Sequence, residues 1–316
     1  MKRQVKAILL MIIASVVLLA IVLTAGALVH RCERPLTDRD FRSTPLLWKV
    51  TDAEGHELYL FDTIHVGDDR NDEALSNLSP YLDKCDALAV EFDMVAYQQN
   101  AGTMMQMMSQ YVLTDGTTIE DHMPADLYSR AYALVEEAGL MPGMMKNYNL
   151  AMWAQLVQSA AIMTHCELDS GKAMDLMLIN RAYEKQMPVL EVESAAFQMG
   201  LLNSFDEETY LWQIRSTIDN LDLYGASIEA VYSLWLSGNQ DTFWGAVAAD
   251  ADADGSGAYN TALIDERNVN MAEKAKEYLA SGKTVFFAVG AAHMANETGI
   301  VQLLTDAGYT VERIVY

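Results

Sequence analysis

Cysteine is scarce in this chain of 316 residues: Cys32, Cys85 and Cys166 are the only three, and no CxxC spacing occurs. An even disulfide framework is therefore excluded, and cysteine says nothing of the redox compartment. Basic side chains are also few, with 21 Lys and Arg against 44 Asp and Glu, for a formal net charge of −23. No acid precedes Glu33, whereas Lys2, Arg3 and Lys6 do. Setting those three aside leaves 18 basic against 44 acidic side chains from residue 31 onward, or −26. Phosphate backbones repel a body of that charge, which argues against nucleic acid as a partner. What is abundant is apolar. A hydrophobic share of 51% with 21% charged residues is a globular balance, not a disordered or collagenous one. The length suits one large α/β domain or two small ones.

Charge is absent altogether from residues 7 to 29, AILLMIIASVVLLAIVLTAGALV, 23 positions behind the basic start MKRQVK. A run of that length crosses a ~30 Å hydrocarbon core as one helix. It exceeds the about 7–15 apolar residues of a cleavable signal peptide, although Ala25-Gly26-Ala27 offers a small-residue cleavage site. The expectation is an N-terminal transmembrane anchor over residues 1–30, a juxtamembrane linker over 31–45 and one domain over 46–316. Arg31, Arg34, Arg39 and Arg42 compete with the first basic cluster for the inner side. The acid-free first cluster favours an extracytoplasmic body, since long domains are translocated largely regardless of charge.

From Leu46 the chain shows two apolar-alternating runs around Asp52-Ala53-Glu54-Gly55, the pattern of a β-hairpin whose second strand ends at Asp62. A short helix over 73–82 and a buried strand finishing on Glu91 follow. Residues 95 to about 185 are rich in Ala, Met, Leu, Gln and Tyr, and predict a helical insertion. The strand PVLEVES, helices over 206–249 and an acidic loop DADADGSG at 250–257 come next. A helix over about 260–279, the strand KTVFFAV, the loop GAAHMANETG, a last helix and an edge strand TVERIVY close the chain. The fold class expected is α/β (α+β): a mixed central sheet with helices packed on it and a helical insertion.

His65, Glu91, Glu191, Glu193 and His293 all fall at or just past the end of an apolar strand, where open α/β sheets bind ligands. LYLFDTIHV and VFFAVGAAHM are also alike as units, each an apolar strand, a small turn, a His and a polar loop into a helix. Two imidazoles and a carboxylate from three strand ends suit a divalent transition metal, with positions left open for water and substrate. Glu91 continues a buried apolar run, so it needs a metal, His or Arg as partner. His30, His56, His122 and His165 lack such a setting and read as structural or solvated.

These residues resemble the TraB/PrgY/GumN family, which includes the Tiki-type membrane metalloproteases. The resemblance rests on Asp62-Thr63-Ile64-His65-Val66-Gly67, Val90-Glu91 and Gly290-Ala291-Ala292-His293, with further matches at Ala173-Met174-Asp175, Leu190-Glu191 and Arg267-Asn268. It covers about residues 46 to 316. It implies an α/β core around a mixed sheet and, for the Tiki branch, metal-dependent peptide-bond hydrolysis at a membrane. For bacterial members it implies sequestration or inactivation of signalling peptides. Two departures stand out: Asp62 occupies a position where the family has Gly, and Asn296-Glu297 replaces Pro-Gly after His293.

An active site on this plan has Mn, Co or Zn held by His65, Glu91 and His293, activating a water and polarising the scissile carbonyl. Glu191 or Glu193 is the expected proton shuttle, since strand alternation puts both on one face. Arg267 is expected to hold a substrate carboxylate or the oxyanion. Asp62 either joins the site as an extra acid, distorts the turn, or points away. Asp250, Asp252 and Asp254 before Gly255 begin like a calcium loop, but Thr261 stands at the twelfth position and Ala258 at the ninth. The methionines at 104, 105, 107, 108, 141, 144 and 145 suit either an adaptable peptide groove or ordinary helix packing. The function expected is a membrane-anchored metal-dependent hydrolase, a peptidase acting on small or signalling peptides. The alternatives are a non-catalytic peptide-binding protein on the same scaffold and a metal-free, esterase-like hydrolase with a His general base.

Overall fold

A computed structural model describes residues 43–251 and 261–316. The apolar run at 7–29, His30 and most of the acidic loop, including its calcium-like start beyond residue 251, lie outside the described residues. Among the described residues no helix is long and apolar enough to cross a membrane.

The hairpin forms where the alternation places it. Strands β1 (Leu47–Thr51) and β2 (Glu57–Thr63) pair antiparallel from Leu47↔Phe61 to Thr51↔Glu57. Asp52 closes the turn: its Oδ1 accepts from the backbone N–H of Glu54 at 3.0 Å and of His56 at 2.8 Å. Gly55 takes the left-handed φ of 87° there, which costs a residue without Cβ little. The buried run Ala87–Val90 is β3, Val189–Glu191 is β4, Val285–Gly290 is β5 and Thr310–Ile314 is β6. The six strands lie in the order β4-β3-β5-β2-β1-β6. β4, β3, β5 and β2 are mutually parallel, while β1 and β6 run antiparallel at one edge. The carboxyl ends of β2, β3, β4 and β5 consequently point to one side of the sheet, and the two units that look alike in sequence, β2 and β5, are direct neighbours.

Thirteen α-helices accompany the sheet in the described residues. Helix α1 (Arg70–Leu82) follows β2, beginning earlier than expected because Asp68 and Arg70 fold into its entry turn, where Asp68 Oδ1 accepts from the Arg70 backbone N–H at 2.8 Å. The insertion between β3 and β4 comprises α2 (Met94–Gln99), α3 (Ala101–Ser109), α4 (Ile119–His122), α5 (Ala125–Glu137), α6 (Leu150–His165) and α7 (Met174–Glu184). Helices α8 (Ala195–Leu202), α9 (Glu207–Asp219), α10 (Leu221–Leu236) and α11 (Gln240–Ala251) come after β4. A π-turn at Thr261–Asp265 leads into α12 (Glu266–Ala280), and α13 (Ile300–Asp306) precedes β6. Every residue of α6 from Leu150 to Ile162 is buried, with α5, α9 and α10 packed around it. A helix buried on every side, here apolar apart from Gln155, Gln158 and Ser159, is a core helix, and this one is the axis of the helical layer. The methionines singled out above divide between core and surface: Met104, Met107 and Met145 are buried, whereas Met105, Met141 and Met144 are exposed.

Candidate active site

Because four parallel strands end together, residues far apart in sequence meet beyond their tips. His65 lies two residues past β2 and is buried; its Nδ1 is 2.8 Å from Asp175 Oδ2, in the first turn of α7. The turn is pinned by Met174 N–H donating to the Ile64 carbonyl at 3.1 Å and by mutual backbone hydrogen bonds between Gly67 and Asp169. Gly67 has no substitute in this packing, for a Cβ there would sit 2.6 Å from the Lys172 carbonyl oxygen and 2.1 Å from Asn71 Nδ2. His293 lies in the short 3-10 turn Ala291–Met294 after β5 and is fully buried. Asn268 gives its Nδ2 to the Thr298 carbonyl at 2.9 Å, so its Oδ1 faces His293 Nδ1 at 2.6 Å as an acceptor. Nδ1 therefore carries the proton, and Nε2 presents a bare lone pair. That Nε2 has no hydrogen-bond partner among the described residues and stands 4.0 Å from Glu91 Oε1.

Glu91 is the hub. Its Oε1 accepts the Gly290 backbone N–H at 2.8 Å, and its Oε2 accepts from Arg267 Nη2 at 2.7 Å and Gln198 Nε2 at 2.8 Å. Arg267, on the first turn of α12 and only 2% exposed, also donates through Nε and Nη2 to Glu193 and through Nη1 to the Leu263 carbonyl. Gln198 spans the two carboxylates, donating to Glu193 Oε2 at 2.9 Å as well. The electrostatics follow. Burial alone would raise the Glu91 pKa, but the Arg267 guanidinium, with His293 and His65 beyond it, holds the carboxyl well below the usual range. Burial, reinforced by Arg267, pushes His293 down to about 3 and keeps its imidazole neutral. Burial would lower His65 too, but the Asp175 carboxylate overrides it and the pKa is raised.

The structure thus brings His65, Glu91, Glu193, Arg267 and His293 together. Glu191 goes elsewhere. Its Oε1 accepts from the Asp93 backbone N–H at 2.9 Å, and it lines a separate, more open cleft of about 420 Å³ with Tyr97 and Asn100. β4 ends at Glu191 and the backbone bends through Val192 and Glu193, so the alternation that would put both acids on one face stops there. Asp62 also lies apart. It sits inside β2 opposite Val289 with extended backbone, so its position does not require glycine, and strand alternation directs it to the face opposite Thr63. It is fully buried, its neighbours are Trp235, Leu46, Arg313 and Tyr316, and neither carboxyl oxygen has a well-formed hydrogen bond among the described residues, the Trp235 indole and the Leu46 backbone being its nearest polar groups. Asn296, in the altered loop after His293, takes a φ of 69°, which asparagine tolerates better than most residues.

Three contributors were given no role by the sequence reading, although Asp175 and Asn268 stand in stretches that carry the family resemblance. Asp175 looks like an ordinary acid in a helical first turn, Gln198 like a helix residue, and Asn268 like the neighbour of a more conspicuous Arg. No spacing rule links any of them to a strand-end His. Together with Thr63 and five apolar residues, His65, Glu91, Asp175 and Gln198 line a narrow cavity with about 20 Å³ of room for water.

Residues 46–313 match the TraB/PrgY/gumN family. The chain belongs to that family. No curated protein and no solved structure matches it significantly. The match begins one residue before β1 and ends one residue before the end of β6, so this TraB/PrgY/gumN chain carries its family character across the whole described sheet.

The donor set fits a divalent ion in kind: two imidazole Nε2 atoms, each with its Nδ1 committed to an orienting partner, and one carboxylate. The fully buried, unpartnered Nε2 of His293 is the observation that bears on this, since an orphaned acceptor in a core carries a desolvation cost unless something meets it. The three donors are not drawn as tightly as a surface trio is. Among the described residues, the group of three His, Asp or Glu donors mutually within 4.8 Å is Asp52, Glu54 and His56 on the hairpin turn. That trio is accounted for by the turn itself, where Asp52 Oδ2 meets His56 Nδ1 at 2.7 Å.

Proposed function

We propose that this protein is a metal-dependent hydrolase, a peptidase acting on small or signalling peptides, anchored to a membrane by residues 7–29. The buried, unpartnered Nε2 of His293, 4.0 Å from the Glu91 carboxylate that borders a cavity with His65, is the observation that carries the reading. His65, His293 and Glu91 would hold the ion, Mn, Co or Zn, which supplies Lewis-acid activation of water and of the scissile carbonyl. The chain's own residues set the stage: Asp175 and Asn268 fix the two ring orientations, and Arg267 keeps Glu91 ionised. Glu193 and Gln198 hold Arg267 and Glu91 in place. Purified full-length protein is expected to contain stoichiometric Mn, Co or Zn, and His293→Ala to lose it, as read by elemental analysis. Metal-free wild-type protein with hydrolytic activity would move the assignment to the second reading, a hydrolase with an imidazole general base. The His65–Asp175 pair at 2.8 Å is the feature that favours that reading. A non-catalytic peptide-binding role is the outcome if neither metal nor turnover is found.

The location follows from the same proposal. The acidic body lies on the extracytoplasmic side, and the full-length protein is expected to stay in the membrane pellet through a carbonate wash. Its release into the supernatant would mean that the apolar run does not span the bilayer.

A further inference from the structure

Thr63 is the last residue of β2 and only 2% exposed, yet its hydroxyl has no hydrogen-bond partner among the described residues. Asp175 repeats the situation on one atom: Oδ2 is committed to His65, while Oδ1 is buried and unpartnered. Strand register shows where the Thr63 hydroxyl points. Phe61 pairs with Ala288, and Ala288 with Val90, so these three share one face of the sheet. Thr63, two residues beyond Phe61, is on that face as well. Thr63, Ala288, Val90 and Asp175 all line the cavity that His65 and Glu91 border.

The chemistry of the two atoms selects what can sit between them. An ionised carboxylate oxygen only accepts, and a hydroxyl donates or accepts, so a bridging ligand must bring at least one proton donor. Carboxylates and halides bring none, and the Glu91 and Asp175 carboxylates oppose any anion, phosphate included. The room available, about 20 Å³, exceeds the roughly 10–15 Å³ that one water needs. A neutral molecule of water size that both donates and accepts meets every condition.

We propose that Thr63 and Asp175 hold one water molecule at the cavity wall beside His65 and present it as the nucleophile. This rests on the hydrolase reading and makes both side chains positioning residues. In the reaction, the water oxygen bonds to the carbonyl carbon as the C–N bond breaks. One water hydrogen ends on the new amine, and the other stays with the new carboxylic acid. A hydroxyl that fixes the water's angle of approach affects turnover without touching substrate affinity.

The test pairs structure with kinetics. A high-resolution crystal structure of the full-length protein is expected to show an ordered water in hydrogen-bond contact with Thr63 Oγ1 and Asp175 Oδ1. Thr63→Val, which keeps the shape and removes the hydroxyl, should lose that water. Its kcat on a quenched fluorescent peptide that the wild type cleaves should fall on the order of tenfold to a hundredfold, with KM unchanged. Thr63→Ser should restore both. A cavity that is dry in the wild type, a water retained in Thr63→Val, or an unchanged kcat in that variant overturns the proposal. A bound water in a protein that hydrolyses no peptide overturns the hydrolase reading instead, and with it the nucleophile role, while the water site itself stands.

Discussion

Replacing Arg267 with methionine is expected to destabilise the protein by about 3–5 kcal/mol, because it strands two buried carboxylates without their cation. Glu91 Oε2 and Glu193 Oε2 each lie 2.7 Å from the same guanidinium nitrogen, and the arginine is almost wholly out of solvent. The loss is an unpaired-charge effect, not a cavity effect. Adding Glu91→Gln and Glu193→Gln to the methionine variant should therefore recover much of it, even though each glutamine alone breaks a bond. Arg267→Lys should fall between, since an ammonium cannot serve Nε and Nη2 positions at once. Thermal unfolding of the purified full-length variants at neutral pH provides the check. A loss in Arg267→Met below about 1 kcal/mol, the worth of an exposed pair, would mean the network is not desolvated as described. The sign with pH follows from Glu91. Its pKa is lowered in the fold, so its share of stability is present above the ordinary glutamate range and fades as pH falls through and below it.

Asp62 gives the opposite sign. It is wholly buried, neither oxygen has a well-formed hydrogen bond among the described residues, and burial outweighs the nearby Trp235 indole, Leu46 backbone and Arg313 to push its pKa well above the usual carboxylate value. The folded state holds it protonated at a pH where the unfolded chain, with a pKa of about 3.9, releases the proton. Its contribution is therefore intact below about pH 4 and lost progressively as pH rises toward the folded-state pKa. Asp62→Asn should match wild type near pH 4 and be more stable at pH 8. Asp62→Leu removes the carboxyl altogether but leaves the Trp235 indole N–H unmet, so its margin over wild type should grow as pH rises and not be present at low pH. Parallel melting curves for the three proteins from pH 4 to pH 8 decide it. A wild type whose stability relative to Asp62→Asn does not change over that range would show the carboxyl to be ionised and paired in the fold.

How far the molecule was legible in advance depended on whether a signal was local. The hairpin is, because alternation and Asp52 with Gly55 act within a dozen residues. The strand-end positions of His65, Glu91 and His293 are as well, since an apolar run that stops at an imidazole or acid marks its own terminus. Pairing across the fold is not. That Glu193 meets Arg267 while Glu191 turns to Asp93 depends on a bend one residue beyond β4. That Asp175 holds His65 depends on α7 packing against β3 with its first turn beside the residues that follow β2, 110 positions along the chain. Asp62 shows the limit most clearly. Its proximity to His65 in sequence suggested membership of the site, yet the parity of a pleated strand sends residues 62 and 63 to opposite faces, and the inconspicuous threonine is the one that reaches the cavity.

The strand order carries a consequence for how this protein is made. β5, synthesised almost last, lies between β3 and β2, which are completed about two hundred residues earlier. Until residues 285–290 leave the ribosome, β2 and β3 each have an open edge where β5 belongs, and open edges are templates for unwanted pairing. His293 and the Gly290 amide that Glu91 needs arrive in that same final stretch. A chain cut short between Glu91 and β5 holds His65 and Glu91 but lacks both His293 and the Gly290 amide, so the candidate site is assembled only when the sheet closes.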